Sequence, residues 1–90
     1  MYLLVRNKVE DFDRWLAVFE ANGEAGADAG LQLEHLWREP DDPSQAFFIF
    51  RVEDRARAEA FMATPEAAES GRVSGVIDGE YHFLESVEGS

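Results

Sequence analysis

Ninety residues suffice for one domain, because a chain of this length buries roughly 60–65% of its unfolded surface in a single core; residues 1–90 are expected to form one unit. Nineteen Asp and Glu against eight Lys and Arg give a formal net charge of −11, which repels phosphate backbones and anionic headgroups, so neither nucleic acid nor a membrane surface is an expected partner. Cysteine is absent, which excludes disulfides, thiolate nucleophiles and Cys-ligated metals, while a hydrophobic content of 46% argues for a folded globule over an acidic disordered chain.

Tyr2 to Val9 mixes β-branched, aromatic and aliphatic residues with Arg6 and Lys8 and reads as a strand. The apolar run Met1 to Val5 is too short for a signal peptide or a membrane span, so a cytoplasmic location is expected. The period then changes. Asp11 is the expected N-cap, Asp13 falls in the first turn, and Phe12, Trp15, Leu16 and Phe19 follow at helical spacing. The helix is expected to run on toward Ala29, weakened by Gly23 and Gly26 and ended by Gly30 in a left-handed conformation. Leu31 to Arg38 reads as a second strand, in which strict alternation puts Leu31, Leu33, His35 and Trp37 on one face. Glu39 to Ser44 is turn chemistry, and Gln45 to Glu53 is a third strand with apolar residues of both parities, the mark of a central strand. The short connection pairs these two strands antiparallel.

Asp54 starts a second helix with Ala58, Phe61 and Met62 inward and Arg55, Arg57 and Glu59 outward. Thr64 followed by Pro65 predicts a break and a fresh helical start, reaching about Ser70. Gly71, Gly75 and Gly79 punctuate the return, and Glu80 to Val87 supplies the last strand; Glu88-Gly89-Ser90 reads as a frayed tail.

The order β-α-β-β-α-β predicts an α+β, ferredoxin-like domain: one four-stranded antiparallel sheet with both helices on one face. Two helices cannot cover both faces of the third strand, where Ala46, Phe48, Phe50 and Val52 oppose Phe47 and Ile49. A second copy docked on the open face removes that patch from water, so a homodimer joined sheet to sheet is expected.

With this element order, the segments Tyr2-Leu3-Leu4-Val5-Arg6-Asn7-Lys8-Val9, His35-Leu36-Trp37-Arg38, Phe61-Met62-Ala63-Thr64-Pro65-Glu66 and Gly75-Val76-Ile77 resemble the dimeric α/β-barrel superfamily. That superfamily includes antibiotic-biosynthesis-type monooxygenases, stress-responsive barrel proteins and polyketide-cyclase-like proteins. The resemblance implies two ferredoxin-like protomers joined sheet to sheet, each with a pocket; it implies no single chemistry.

His35 and Trp37 share a strand face, and Asn7 has the parity of Leu3, Val5 and Val9. If the two faces coincide, an imidazole, an indole and an amide converge on a pocket for a flat organic ligand, with His35 as catalytic acid or base and Asn7 and Trp37 as ligand-binding residues. Some monooxygenases of the resembled superfamily use Asn, Trp and His in their pockets. The alternative places Trp37 in the core or dimer interface, His35 at the surface and Asn7 as a strand-end polar group. His82 and Tyr81 of the last strand, with opposite parity, and Tyr2 of the first are further candidates to orient a ligand; an aromatic dimer interface is the other use of the tyrosines. No close-spaced His pair points to a metal, and no phosphate loop, dinucleotide fingerprint or nucleophile elbow occurs, so no cofactor is expected. Arg51, Arg55 and Arg57 form a small basic cluster best paired with neighbouring acids. Two functions stay open: a small-molecule enzyme, monooxygenase-like and cofactor-independent, isomerase or cyclase, and a noncatalytic dimer that binds a hydrophobic or aromatic metabolite or acts as an interaction module.

Overall fold

The computed structural model describes residues 1–87; the ending Glu88-Gly89-Ser90, expected as a frayed tail, lies outside them. The elements run β1 (Tyr2–Val9), α1 (Phe12–Ala21), α2 (Gly23–Asp28), β2 (Leu31–Arg38), β3 (Gln45–Val52), α3 (Arg55–Met62), α4 (Pro65–Val73) and β4 (Val76–Leu84). Every neighbouring strand pair is antiparallel, and the sheet order is β2-β3-β1-β4. This is the α+β, ferredoxin-like arrangement, with β3 central and each of the two expected helices divided in two.

Local chemistry sets the helix boundaries. Asp11 accepts from the Arg14 N–H at 3.3 Å, Asp54 from the Ala56 and Arg57 N–H groups at 2.9 and 3.3 Å, and the Thr64 hydroxyl from the Ala67 N–H at 3.2 Å. Gly30 and Gly75 both take φ +83°, the left-handed turn that hands a helix over to a strand. The first helix breaks at Asn22, whose side-chain amide donates to the Val18 carbonyl at 2.8 Å in competition with the backbone ladder. The second runs past Ser70 to Val73, and Arg14 caps its end by donating to the Val73 carbonyl at 2.9 and 3.1 Å. β4 begins at Val76, not Glu80, because Val76 already pairs with Val9; it stops at Leu84, not Val87, because Leu84 meets Tyr2, the first residue of β1.

The core lies between sheet and helices. Leu3, Leu31, Val52 and Ala58 form one buried cluster, and Val9, Trp15, Ala46 and Phe48 the other, joined by Val5 and Phe50, which pack against both. The rings of Trp15, Phe19 and Phe48 pack at centroid distances of 4.9 to 5.6 Å.

β2 departs from regular alternation. Leu33 pairs with Phe50 and His35 with Ile49, so the strand advances two residues where its partner advances one, and Glu34 is the extra residue of a bulge. The expectation that His35 and Trp37 point the same way as Leu31 and Leu33 is therefore corrected. His35 and Trp37 stand on the open face with Phe47 and Ile49, while Leu36 and Arg38 turn to the helix side, where the Arg38 guanidinium lies 4.7 Å from the Phe12 ring centre.

Candidate ligand-binding site

Between the helix-facing side of the sheet and all four helices lies a cavity of about 670 Å³. β1 and β3 form its floor through Leu3, Val5, Asn7, Phe48 and Phe50, and α1 walls it with Trp15 and Phe19. The lining is predominantly hydrophobic because these are the same inward positions that give the strands their period-two and the helix its 3.6-residue pattern. Trp15 is only 3% exposed, so its indole is a fixed wall.

The polar groups around this space differ in how they are committed. Asn22 donates to Val18 and accepts from the Ser70 hydroxyl at 3.3 Å, which ties the α1–α2 break to α4 across the cavity. The Ser74 hydroxyl donates to the Gly71 carbonyl at 3.0 Å. Asn7, half-buried on the floor, makes no side-chain hydrogen bond among the described residues. Tyr81, 55% exposed, stands at the β4 side with its ring edge-on to Phe83 at 6.1 Å. Glu20 and Glu66, both exposed, supply negative charge at the helical rim.

The six candidate residues divide between the two faces of the sheet. Asn7 and Tyr81 line the cavity. His35, Trp37 and His82 stand on the opposite face, so the expected convergence of Asn7 with His35 and Trp37 does not occur; the bulge at Glu34 separates them. The His35 and Trp37 rings stack there at 5.0 Å and 17°, and Trp37 is 49% exposed. One transverse row of that face reads His35, Ile49, Leu4, His82, and the next reads Trp37, Phe47, Arg6, Glu80. Tyr2 lies on this face too, opposite Arg51 and Leu84.

The open face is neutralised at one end. Arg6 donates to Glu80 at 2.7 Å, Gln45 at 2.9 Å and Asp78 at 3.2 Å, and His82 lies 3.3 Å from Glu80. Hydrogen bonding from Arg6, then from His82, holds the Glu80 carboxyl below the ordinary glutamate range. In the loop before β3, the Ser44 hydroxyl lowers Asp42 in the same sense. Among the described residues no three His, Cys, Asp or Glu side chains gather as a metal site, and no helix is long and apolar enough to cross a membrane. Sequence reasoning read Trp15 and Phe19 as a helical stripe, Phe48 as part of a central strand and Gly79 as punctuation, and placed none of them at a cavity; in the sheet Asn7 pairs with the two smallest strand residues, Ala46 and Gly79.

No protein-family model matches the sequence, and no curated protein does. Solved structures do share its fold. An antibiotic biosynthesis monooxygenase is similar at TM-score 0.74 with 19% identity, covering 97% of this chain and 98% of that one. SnoaB, a cofactor-independent oxygenase from Streptomyces nogalater, is similar at TM-score 0.77 with 16% identity, covering 98% and 93%. An uncharacterized NIPSNAP domain protein from Burkholderia xenovorans is similar at TM-score 0.66 with 15% identity over 100% of both chains. These likenesses are to the ferredoxin-like α+β fold.

Proposed function

We propose that this protein binds a small, uncharged aromatic or otherwise apolar molecule in the cavity between sheet and helices, and that it works as a homodimer joined through the open sheet faces. The observation that carries the reading is the cavity itself: about 670 Å³, walled by aromatic and aliphatic side chains, with one uncommitted amide on its floor. That size and lining match small-molecule sites, in which a few polar groups orient an otherwise apolar ligand. The acidic rim of Glu20 and Glu66 disfavours anions. In this reading Asn7 and Tyr81 contact the ligand, whereas His35, Trp37 and His82 belong to the dimer interface.

A panel of uncharged one- to three-ring aromatic compounds, followed by NMR titration, tests it. Binding is expected to shift the resonances of Val5, Asn7 and Phe48 and to spare those of Ile49 and Trp37. Ala67→Phe, which fills the cavity from α4, is expected to abolish binding and leave the fold intact. Shifts confined to the open face would remove the assignment.

Cofactor-independent oxygenation of the bound molecule is a second reading, drawn from the likeness to a protein described as a cofactor-independent oxygenase. Binding without turnover is the better supported of the two, because His35, the expected acid or base, lies on the other side of the sheet from the cavity floor. Oxygen uptake in the presence of a compound that binds separates them.

A further inference from the structure

Gly79 sits inside β4, where glycine weakens a strand, and nothing in its backbone calls for glycine: among the described residues only Gly30 and Gly75 have positive φ. The reason lies across the ladder. Gly79 pairs with Asn7, and a Cβ at position 79 would come within 2.7 Å of the Asn7 Oδ1 and 3.2 Å of the Arg6 carbonyl oxygen. The first distance is below any tolerated contact, and the atom that must give way is the far end of the Asn7 side chain. On its other flank Asn7 pairs with Ala46, so small residues on both sides leave the amide a niche in the floor.

The orientation follows from this geometry. The Asn7 carbonyl end fills the place a Gly79 Cβ would take, beside C–H groups that are weak donors, and Nδ2 lies further from that place than Oδ1 and Cγ do. The NH2 end is thus the one left for the cavity, and it donates without accepting. Of the partly or wholly buried amide and hydroxyl side chains in the lining, Asn22, Ser70 and Ser74 are already bonded within the protein.

We infer that Gly79 is a positioning residue: by lacking a side chain it holds the Asn7 NH2 toward the cavity and makes the site select aromatic ligands that carry an acceptor oxygen, such as ketones, over the same shapes without one. This rests on the cavity being the binding site proposed above. Gly79 acts through Asn7 and need not touch the ligand.

The test compares benzophenone with diphenylmethane, two probes of like shape that differ in the carbonyl, titrated by NMR into the wild-type protein, Gly79→Ala, Asn7→Leu and the double variant. Wild type is expected to bind the ketone roughly fivefold tighter than the hydrocarbon, the effect of one neutral hydrogen bond. Gly79→Ala and Asn7→Leu should each bring ketone and hydrocarbon to equal affinity, and Gly79→Ala should add nothing further in the Asn7→Leu background. Without ligand, the Asn7 side-chain amide resonances should move in Gly79→Ala. Binding of both probes with no ketone preference in wild type, or a preference that survives Gly79→Ala, overturns this inference and leaves the cavity reading standing. Failure of both probes to bind wild type overturns the two together. Should Gly79→Ala fail to fold, Asn7→Leu alone decides: a retained ketone preference overturns the inference, and its loss supports the role of the amide that the niche sets in place.

Discussion

Glu80 shows what a single side chain contributes on an open sheet. Its carboxylate takes a hydrogen bond from Arg6 and lies beside His82, and its pKa falls below the ordinary range for that reason. A carboxyl whose folded pKa is depressed contributes stability fully above its unfolded pKa and loses it as pH falls through the folded value. Glu80→Gln is therefore expected to flatten the acid limb of the stability curve, below the ordinary glutamate pKa, and to leave the slope at neutral pH unchanged. The effect is small because the pair is exposed and screened by salt. Thermal unfolding of variant and wild type across the acid range checks it; an identical acid limb would show that the Arg6 contact does not bias Glu80. Asp42 and Glu69 are depressed in the same direction, so only the difference between the two proteins is diagnostic.

For whole elements, what was legible in the sequence was what the chain enforces locally. Asp11, Asp54 and Thr64 announced their caps, since an N-cap needs only its own next turn, and Gly30 announced its left-handed turn. The site was legible only in part. Asn7 and Tyr81 have the parity of the helix face and line the cavity, but His35 and Trp37 were read one residue out of phase, because alternation assumes a regular strand. Leu36 carried the missing signal: an apolar residue in the phase of Gln32 and Glu34 makes sense only if the strand slips by one before it. The glycines divide by the same local logic. Gly26 lies in α2 with nothing within 4 Å of the place a Cβ would take, so Gly26→Ala is expected to raise the stability of ligand-free protein by about 0.5–1 kcal/mol. Gly30, at φ +83° and with the Glu53 Cβ 3.4 Å from its own Cβ position, is expected to lose about 1–2 kcal/mol as Ala. Denaturant unfolding measures both, and equal signs for the pair would refute the distinction.

For the molecule as a whole, the question is what covers the second face of the sheet. All four helices sit over one side, where they wall the cavity, and the other side presents Leu4, Phe47, Ile49 and Trp37 in two adjacent rows. At one end of those rows Arg6 is matched by Asp78 and Glu80, so the patch carries no unmatched cation there to repel a copy of itself. A two-fold axis through the row His35, Ile49, Leu4, His82 would bury the apolar centre of both chains at once, the isologous arrangement that most small homodimers adopt. Opposing it is the formal charge of −11 on each chain, a repulsion that acts across the whole surface and that salt screens. Two consequences follow for sedimentation at micromolar concentration. Wild type is expected at twice the chain mass, with association strengthening as ionic strength rises toward the physiological range, since screening removes repulsion and leaves apolar burial untouched. Ile49→Asp, which sets a charge at the centre of the face, is expected to sediment as a monomer and, because Ile49 faces away from the cavity, to bind aromatic probes as wild type does. A wild-type monomer at every salt concentration would leave the open face without a self-partner, and an Ile49→Asp dimer would move the interface elsewhere on the molecule.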